Sequence, residues 1–290
     1  MSIQDAILGL YEPLGLAGSG RRRYASAMAL NRAGLLGDAA LEVYRVCSPR
    51  DGEDPARLLS ARGLAEQVPA RPDLGPVGAI LGLIDAADRY LSRFNGPGIA
   101  EIRSGLAAAI GPVTLPKPAR NSVVDEWLGP ALGQLGETHP ELASAIEAAA
   151  PHLDWVTYDA YDPALIGDGF RSGHAFASLI GGDAPVYAQD FDFGLFLIRP
   201  QVLYRDHCHP APELYAPLTG PHGWRFGPGT PVMIRPAHQP VWNDPMAPHL
   251  TKVGWVPFLS LFGWTRDVAE PAVVLPATDW AELEAWKINP

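Results

Sequence analysis

Cysteine is scarce: Cys47 and Cys208 are the two in 290 residues, too few for a disulfide framework. Basic clusters are also few. The one run, Arg21-Arg22-Arg23, does not offset a formal charge of −10, so a nucleic-acid binder, which needs a basic face against phosphate, is excluded. No uninterrupted apolar stretch reaches the length that crosses a bilayer. The start, Met1-Ser2-Ile3-Gln4-Asp5, has neither the basic region nor the apolar core of a signal peptide. A soluble, cytoplasmic protein is therefore expected, without nucleic-acid or membrane partners, and nothing so far excludes a homo-oligomer. Repeats of solenoid length are missing as well.

Glycine and proline, by contrast, are plentiful, at 30 each, and are scattered without a period, as in a chain with many turns. Apolar residues at three- and four-residue steps predict helices over Met28 to Tyr44, Val77 to Leu91 and Ile99 to Ile110, with further ones over Ser122 to Leu135 and Pro140 to Ala150. Pro112 to Pro118 looks like a linker. From about Asp154 the texture changes to short Val-, Tyr-, Phe- and Ile-rich runs between Gly and Pro turns, which predicts strands. Candidates are Gly194 to Ile198, Gln201 to Tyr204, Glu213 to Leu218, Pro231 to Ile234 and Phe258 to Trp264. The fold class is α+β: a helical N-terminal region over residues 1–120, then a β-barrel domain with a helical lead-in over 121–290.

The chemistry gathers in His207-Cys208-His209-Pro210-Ala211-Pro212-Glu213. Residues two apart in a strand share a face, so His207 and His209 can both point into a barrel while Cys208 points away as a buried bystander. Glu213 follows two prolines that permit a turn before the next strand. Two imidazoles and a carboxylate suit one divalent transition metal, whether zinc, iron, manganese, nickel or cobalt, and do not choose among them. A further histidine has two candidates, His238 and His249. His139, His152 and His174 have no ligand-type neighbours and read as structural; His222, beside Gly223, reads as a turn residue.

The spacing His-x-His-x-x-x-Glu ahead of Gly220 matches the first motif of the cupin superfamily. More closely, the chain resembles the cupin-type dimethylsulfoniopropionate (DMSP) lyases. The resemblance runs through Gly194-Leu195-Phe196-Leu197-Ile198-Arg199-Pro200, Tyr204, His207 to Tyr215, and Pro257 to Asp267. It extends over about Trp127 to Asp267, with Trp155 and Phe170 to Ile180 resembling the family's lead-in. It implies a cupin barrel (a double-stranded β-helix) and a metal held by His207, His209, Glu213 and His249. His249 is preferred because the family's last metal histidine stands a fixed step before the proline that opens the final strand, here Pro257. The implied reaction is β-elimination of DMSP to dimethyl sulfide and acrylate, with Tyr204 as base and Tyr215 as a second tyrosine at or near the metal.

A sulfonium cation offers no hydrogen-bond donor, so it calls for an aromatic wall. Trp224 and Trp264 are the expected substrate-binding residues, with Phe226, Trp242 and Trp255 also available. Two other readings compete with the lyase. One is a different metal-cupin enzyme, a dioxygenase or isomerase acting on a small carboxylate. The other is a metal-cupin small-molecule sensor. A tyrosine in register at Tyr204 favours an enzyme, and elimination needs no redox metal.

Overall fold

A computed structural model of the chain describes residues 3–12, 14, 15, 18–70, 75–109 and 111–289. The chain divides into two compact units, Met1–Leu74 and Gly75–Pro290. The first holds α1 (Ile3–Leu10), α2 (Ser19–Arg32), α3 (Asp38–Cys47) and α4 (Pro55–Ala61). The periodic stretch from Met28 to Tyr44 is split between α2 and α3. Gly34 takes a left-handed φ of 73°, and the Leu35 amide closes back onto the Leu30 carbonyl, the geometry that ends a helix at glycine. Leu30, Val43, Tyr44, Cys47 and Leu59 form this unit's own core. Arg23 is buried there, its guanidinium satisfied by the carbonyls of Glu12 and Asp51 and the Ser19 hydroxyl.

The second unit opens with α5 (Gly75–Leu91), α6 (Ile99–Ala108), α7 (Ser122–Gly136) and α8 (Pro140–Ala149), followed by the short helices α9 (Pro163–Ile166) and α10 (Asp168–Arg171). The expected end of the third helix, Ile110, lies outside the described residues. The sequence boundary near residue 120 falls between α6 and α7, two helices of the second unit, whereas the compact units divide at Leu74 and Gly75. Pro112 to Pro118 is extended chain within this unit, where the Thr114 amide bonds to the Pro185 carbonyl.

Eleven strands follow among the described residues: β1 (His174–Gly181), β2 (Val186–Tyr187), β3 (Asp192–Ile198), β4 (Leu203–Cys208), β5 (Glu213–Pro217), β6 (His222–Arg225), β7 (Met233–Arg235), β8 (Val241–Asn243), β9 (His249–Lys252), β10 (Phe258–Trp264) and β11 (Val273–Val274), then α11 (Trp280–Ala285). They pair as a six-stranded sheet, β2-β1-β3-β10-β5-β8, and a five-stranded sheet, β11-β4-β9-β6-β7. This is the cupin arrangement as two sheets with a core between them; among the described residues the hydrogen bonding does not close into a ring.

The six-stranded sheet is buried on both faces, which is why its central strands read as continuous apolar runs rather than alternating ones. Along β3, Phe193, Leu195 and Leu197 join the core shared with α5 to α8, while Phe196 and Ile198 turn to the core between the sheets. Helix α6 lies close enough that a Cβ on Gly105 would stand 2.2 Å from the Phe191 ring.

Candidate metal centre and cavity

His207 sits in β4 and His249 opens β9, and the two are Cα partners across that antiparallel pair. His209 stands in the turn after β4, and Glu213 opens β5 in the other sheet. The centre is thus assembled from both sheets. His207, His209, Glu213 and His249 are each only 1–3 % exposed. The ligand atoms of the three histidines lie within 4.8 Å of one another. The Glu213 Oε2 is 3.2 Å from His209 Nε2 and 3.3 Å from His249 Nε2.

The backbone fixes which nitrogen faces inward. His207 Nδ1 lies 2.8 Å from the Arg205 carbonyl, His209 Nδ1 2.7 Å from that of Ala211, and His249 Nδ1 2.9 Å from that of Ala247. A carbonyl only accepts, so each Nδ1 carries hydrogen, and Nε2 is the nitrogen each ring leaves for the centre. The Nε2 atoms of His207 and His249 are buried without a hydrogen-bond partner. Buried polar atoms are seldom left so, and three imidazole lone pairs beside a carboxylate are a donor set for a divalent transition metal. Burial drives His207 well below the usual histidine value, reinforced by its two histidine neighbours. Burial alone would raise Glu213, but His209 and His249 hold it well below the carboxylate range, so the carboxylate is ionised. Glu213 is further fixed by Trp264 Nε1 donating to Oε1 (2.7 Å) and Asn243 Nδ2 donating to Oε2 (3.1 Å).

Beside the centre lies a cavity of ≈ 170 Å³. Tyr204 and Tyr215 both line it, with Glu213 and Trp264. The Tyr204 ring is clamped between Phe170 (3.8 Å between centroids) and His207 (3.9 Å). Its hydroxyl is 2.5 Å from that of Tyr161. Burial holds the phenols of Tyr204 and Tyr215 well above their usual value, and the Glu213 charge adds to this at both.

The expected residues separate here. His207, His209, Glu213, His249, Tyr204, Tyr215 and Trp264 come together. Trp224 does not: it is buried against Tyr215 and Phe258 in the core between the sheets, off the cavity lining. Trp242 packs on the helix side, and Phe226 and Trp255 are exposed. His238 is held elsewhere, by the Tyr90 hydroxyl at 2.9 Å and Thr138 Oγ1 at 3.2 Å. His222 is not a turn residue but the buried first residue of β6. Cys208 is buried in β4 next to β11, as a bystander. Sequence reasoning missed Tyr158, Tyr161 and Asp192 in the cavity wall, and Asn243 on Glu213. No periodicity ties the Tyr-Asp-Ala-Tyr of residues 158–161 to a site; Asp192 could have been suspected as a carboxylate opening an apolar strand.

A model of the DMSP lyase family matches residues 102–260, more than half of the chain. None of the curated proteins matches in sequence. Among solved structures, one from a report on the DMSP lyases RdDddP and RnDddQII is similar with a TM-score of 0.51 at 21% identity, covering 70% of this chain and 100% of that one. DMSP lyase DddQ from Ruegeria pomeroyi DSS-3 gives 0.49 at 21% identity, over 68% and 95%. A cupin-like protein from Thermotoga maritima gives 0.33 at 16% identity, over 45% and 98%. At these identities the structural likeness is one of fold.

Proposed function

The chain belongs to the DMSP lyase family, and from this we propose that it is a metal-dependent lyase that eliminates dimethyl sulfide from DMSP and leaves acrylate. The metal would be held by His207, His209, Glu213 and His249. The observation that carries this reading is the common orientation of the three imidazoles, each with Nδ1 tied to a backbone carbonyl, which leaves Nε2 as the atom available to a metal. Such outer hydrogen bonds fix the tautomer that a metal requires.

A divalent cation bound there would supply positive charge, which would favour a substrate carboxylate nearby and phenolate over phenol in its neighbours. Tyr204 is the base of this proposal. Its oxygen accepts the proton α to the carboxylate, the electron pair becomes the Cα–Cβ double bond, and the Cβ–S bond breaks with its pair left on sulfur. Tyr161, 2.5 Å away, donates to the Tyr204 oxygen while that oxygen is charged. The stack of Phe170, Tyr204 and His207 keeps the base from swinging. Tyr215 orients the substrate from the facing wall. The buried aromatic lining excludes water.

The test is metal analysis of purified protein together with a headspace assay for dimethyl sulfide under anaerobic conditions. One transition-metal ion per chain is expected. His249→Ala should lose it and His238→Ala should keep it; the reverse would overturn the ligand set. No dimethyl sulfide with any divalent metal loaded would overturn the lyase.

A further inference from the structure

Glu213, Trp264 and Asp192 form one row across three neighbouring strands of the six-stranded sheet. Trp264 is the Cα partner of Glu213 on β5 and of Asp192 on β3. Directly opposed residues share a face, and all three line the cavity. Strands lie about 4.8 Å apart, so the backbones bearing the two carboxylates stand about 10 Å apart, with the indole between them.

The two carboxylates differ in what they meet. Glu213 is engaged by His209, His249, Asn243 and Trp264. Asp192 Oδ1 is buried without a hydrogen-bond partner. No lysine or arginine is among the described residues lining the cavity. Asp192 is half-buried, and a carboxylate withdrawn from water without a cation is costly; burial pushes this one up to about 6 against the pull of hydrogen bonds from Ser178 and the Phe193 amide. The walls beside it are aromatic: Phe176 and Phe262 meet edge to face at 6.2 Å, and Trp264 completes them.

We propose that Asp192 is the counter-ion for the cationic end of the substrate, an alkylated sulfonium or ammonium group lodged between Asp192 and the rings of Phe176, Phe262 and Trp264. This rests on the lyase reading above and names what selects the substrate there. An onium centre has no N–H or O–H to donate, so it is recognised by charge and by aromatic faces, and this end of the cavity offers both. The substrate carboxylate then lies at the Glu213 end and the onium at the Asp192 end. Asp192 thereby favours a zwitterion over a carboxylate of the same shape that lacks the positive end.

The test compares metal-loaded wild type with Asp192→Asn, which keeps the shape and removes the charge. The probes are DMSP for turnover, 3-(trimethylammonio)propionate as a zwitterion with a poorer leaving group for the binding arm, and 4-methylpentanoate as an isostere without the positive charge. In Asp192→Asn, KM for DMSP and Kd for the ammonium compound should each rise about tenfold or more. Binding of 4-methylpentanoate should change less than about twofold, with metal content and melting temperature held. Equal weakening of all three probes, or of none, would overturn the counter-ion. The binding arm reads independently of turnover. Wild type that makes no dimethyl sulfide yet prefers the ammonium compound loses the lyase and keeps the counter-ion. Wild type that turns over DMSP with Asp192→Asn unimpaired keeps the lyase and loses the counter-ion.

Discussion

Tyr204 shows how three side chains can prepare one oxygen. Its ring is held by Phe170 and His207, and its hydroxyl reaches Tyr161. In the lyase proposed above, Tyr204→Phe removes only the proton acceptor. It should keep metal content and melting temperature while kcat falls on the order of a hundredfold to ten-thousandfold. Tyr161→Phe takes away the donor but leaves the base, so a smaller fall in kcat with little change in KM is expected; steady-state kinetics on both variants checks the order. Trp264 acts through Glu213. Trp264→Phe keeps an aromatic wall but removes the Nε1 donor, and metal affinity should weaken on the order of ten- to a hundredfold, as measured by competition with a chelator.

Between elements, β1 and the segment before it are joined by His174. Its Nδ1 is 2.6 Å from the Phe170 carbonyl, and its Nε2 accepts from the Tyr158 amide at 3.0 Å. Only the neutral ring satisfies both. Burial accordingly lowers His174 from 6.5 to about 4, and His222 to about 3. Between pH 6.5 and about 4 the unfolded chain takes up protons that the folded chain refuses. The stabilising contribution is thus complete above pH 6.5 and is lost as pH falls through that window. The urea midpoint should drop from pH 7 to pH 4.5, and His174→Gln should shrink the drop. A second interface is the seat of α6 on the sheet. Gly105→Val would drive a side chain into Phe191 and should cost about 1–3 kcal/mol by overpacking, read from the same denaturation curves.

At the scale of the molecule, the centre, the cavity and both sheets belong to the unit that begins at Gly75, and the family match at 102–260 falls inside it. The unit of residues 1–74 has its own core, and the described residues lining the cavity all belong to the second unit. A chain starting at Gly75 should therefore bind metal and turn over DMSP within about twofold of the full chain. Failure of that shortened chain to fold, seen by circular dichroism, would show that the second unit depends on the first.

Local chemistry determined the parts. Apolar steps of three and four residues marked α5 to α8, short apolar runs between turn residues marked β3 and β10, and the spacing from His207 to Glu213 marked a candidate metal motif. These signals are legible because each depends on neighbours within one turn or one strand. Tertiary structure decided what depends on partners distant in sequence. His249 meets His207 across a strand pair while His238 is drawn to Tyr90; the step to Pro257 favoured His249 through the family resemblance, but the residues around each histidine do not separate them. Trp224 and Trp264 are the same residue type on inward-facing strands, yet one fills the core and the other lines the cavity. Asp192 gains its meaning only from the register that aligns it with Trp264 and Glu213. Register and sheet stacking bring residues tens of positions apart within reach of one another, and a linear pattern carries no record of which of them will meet.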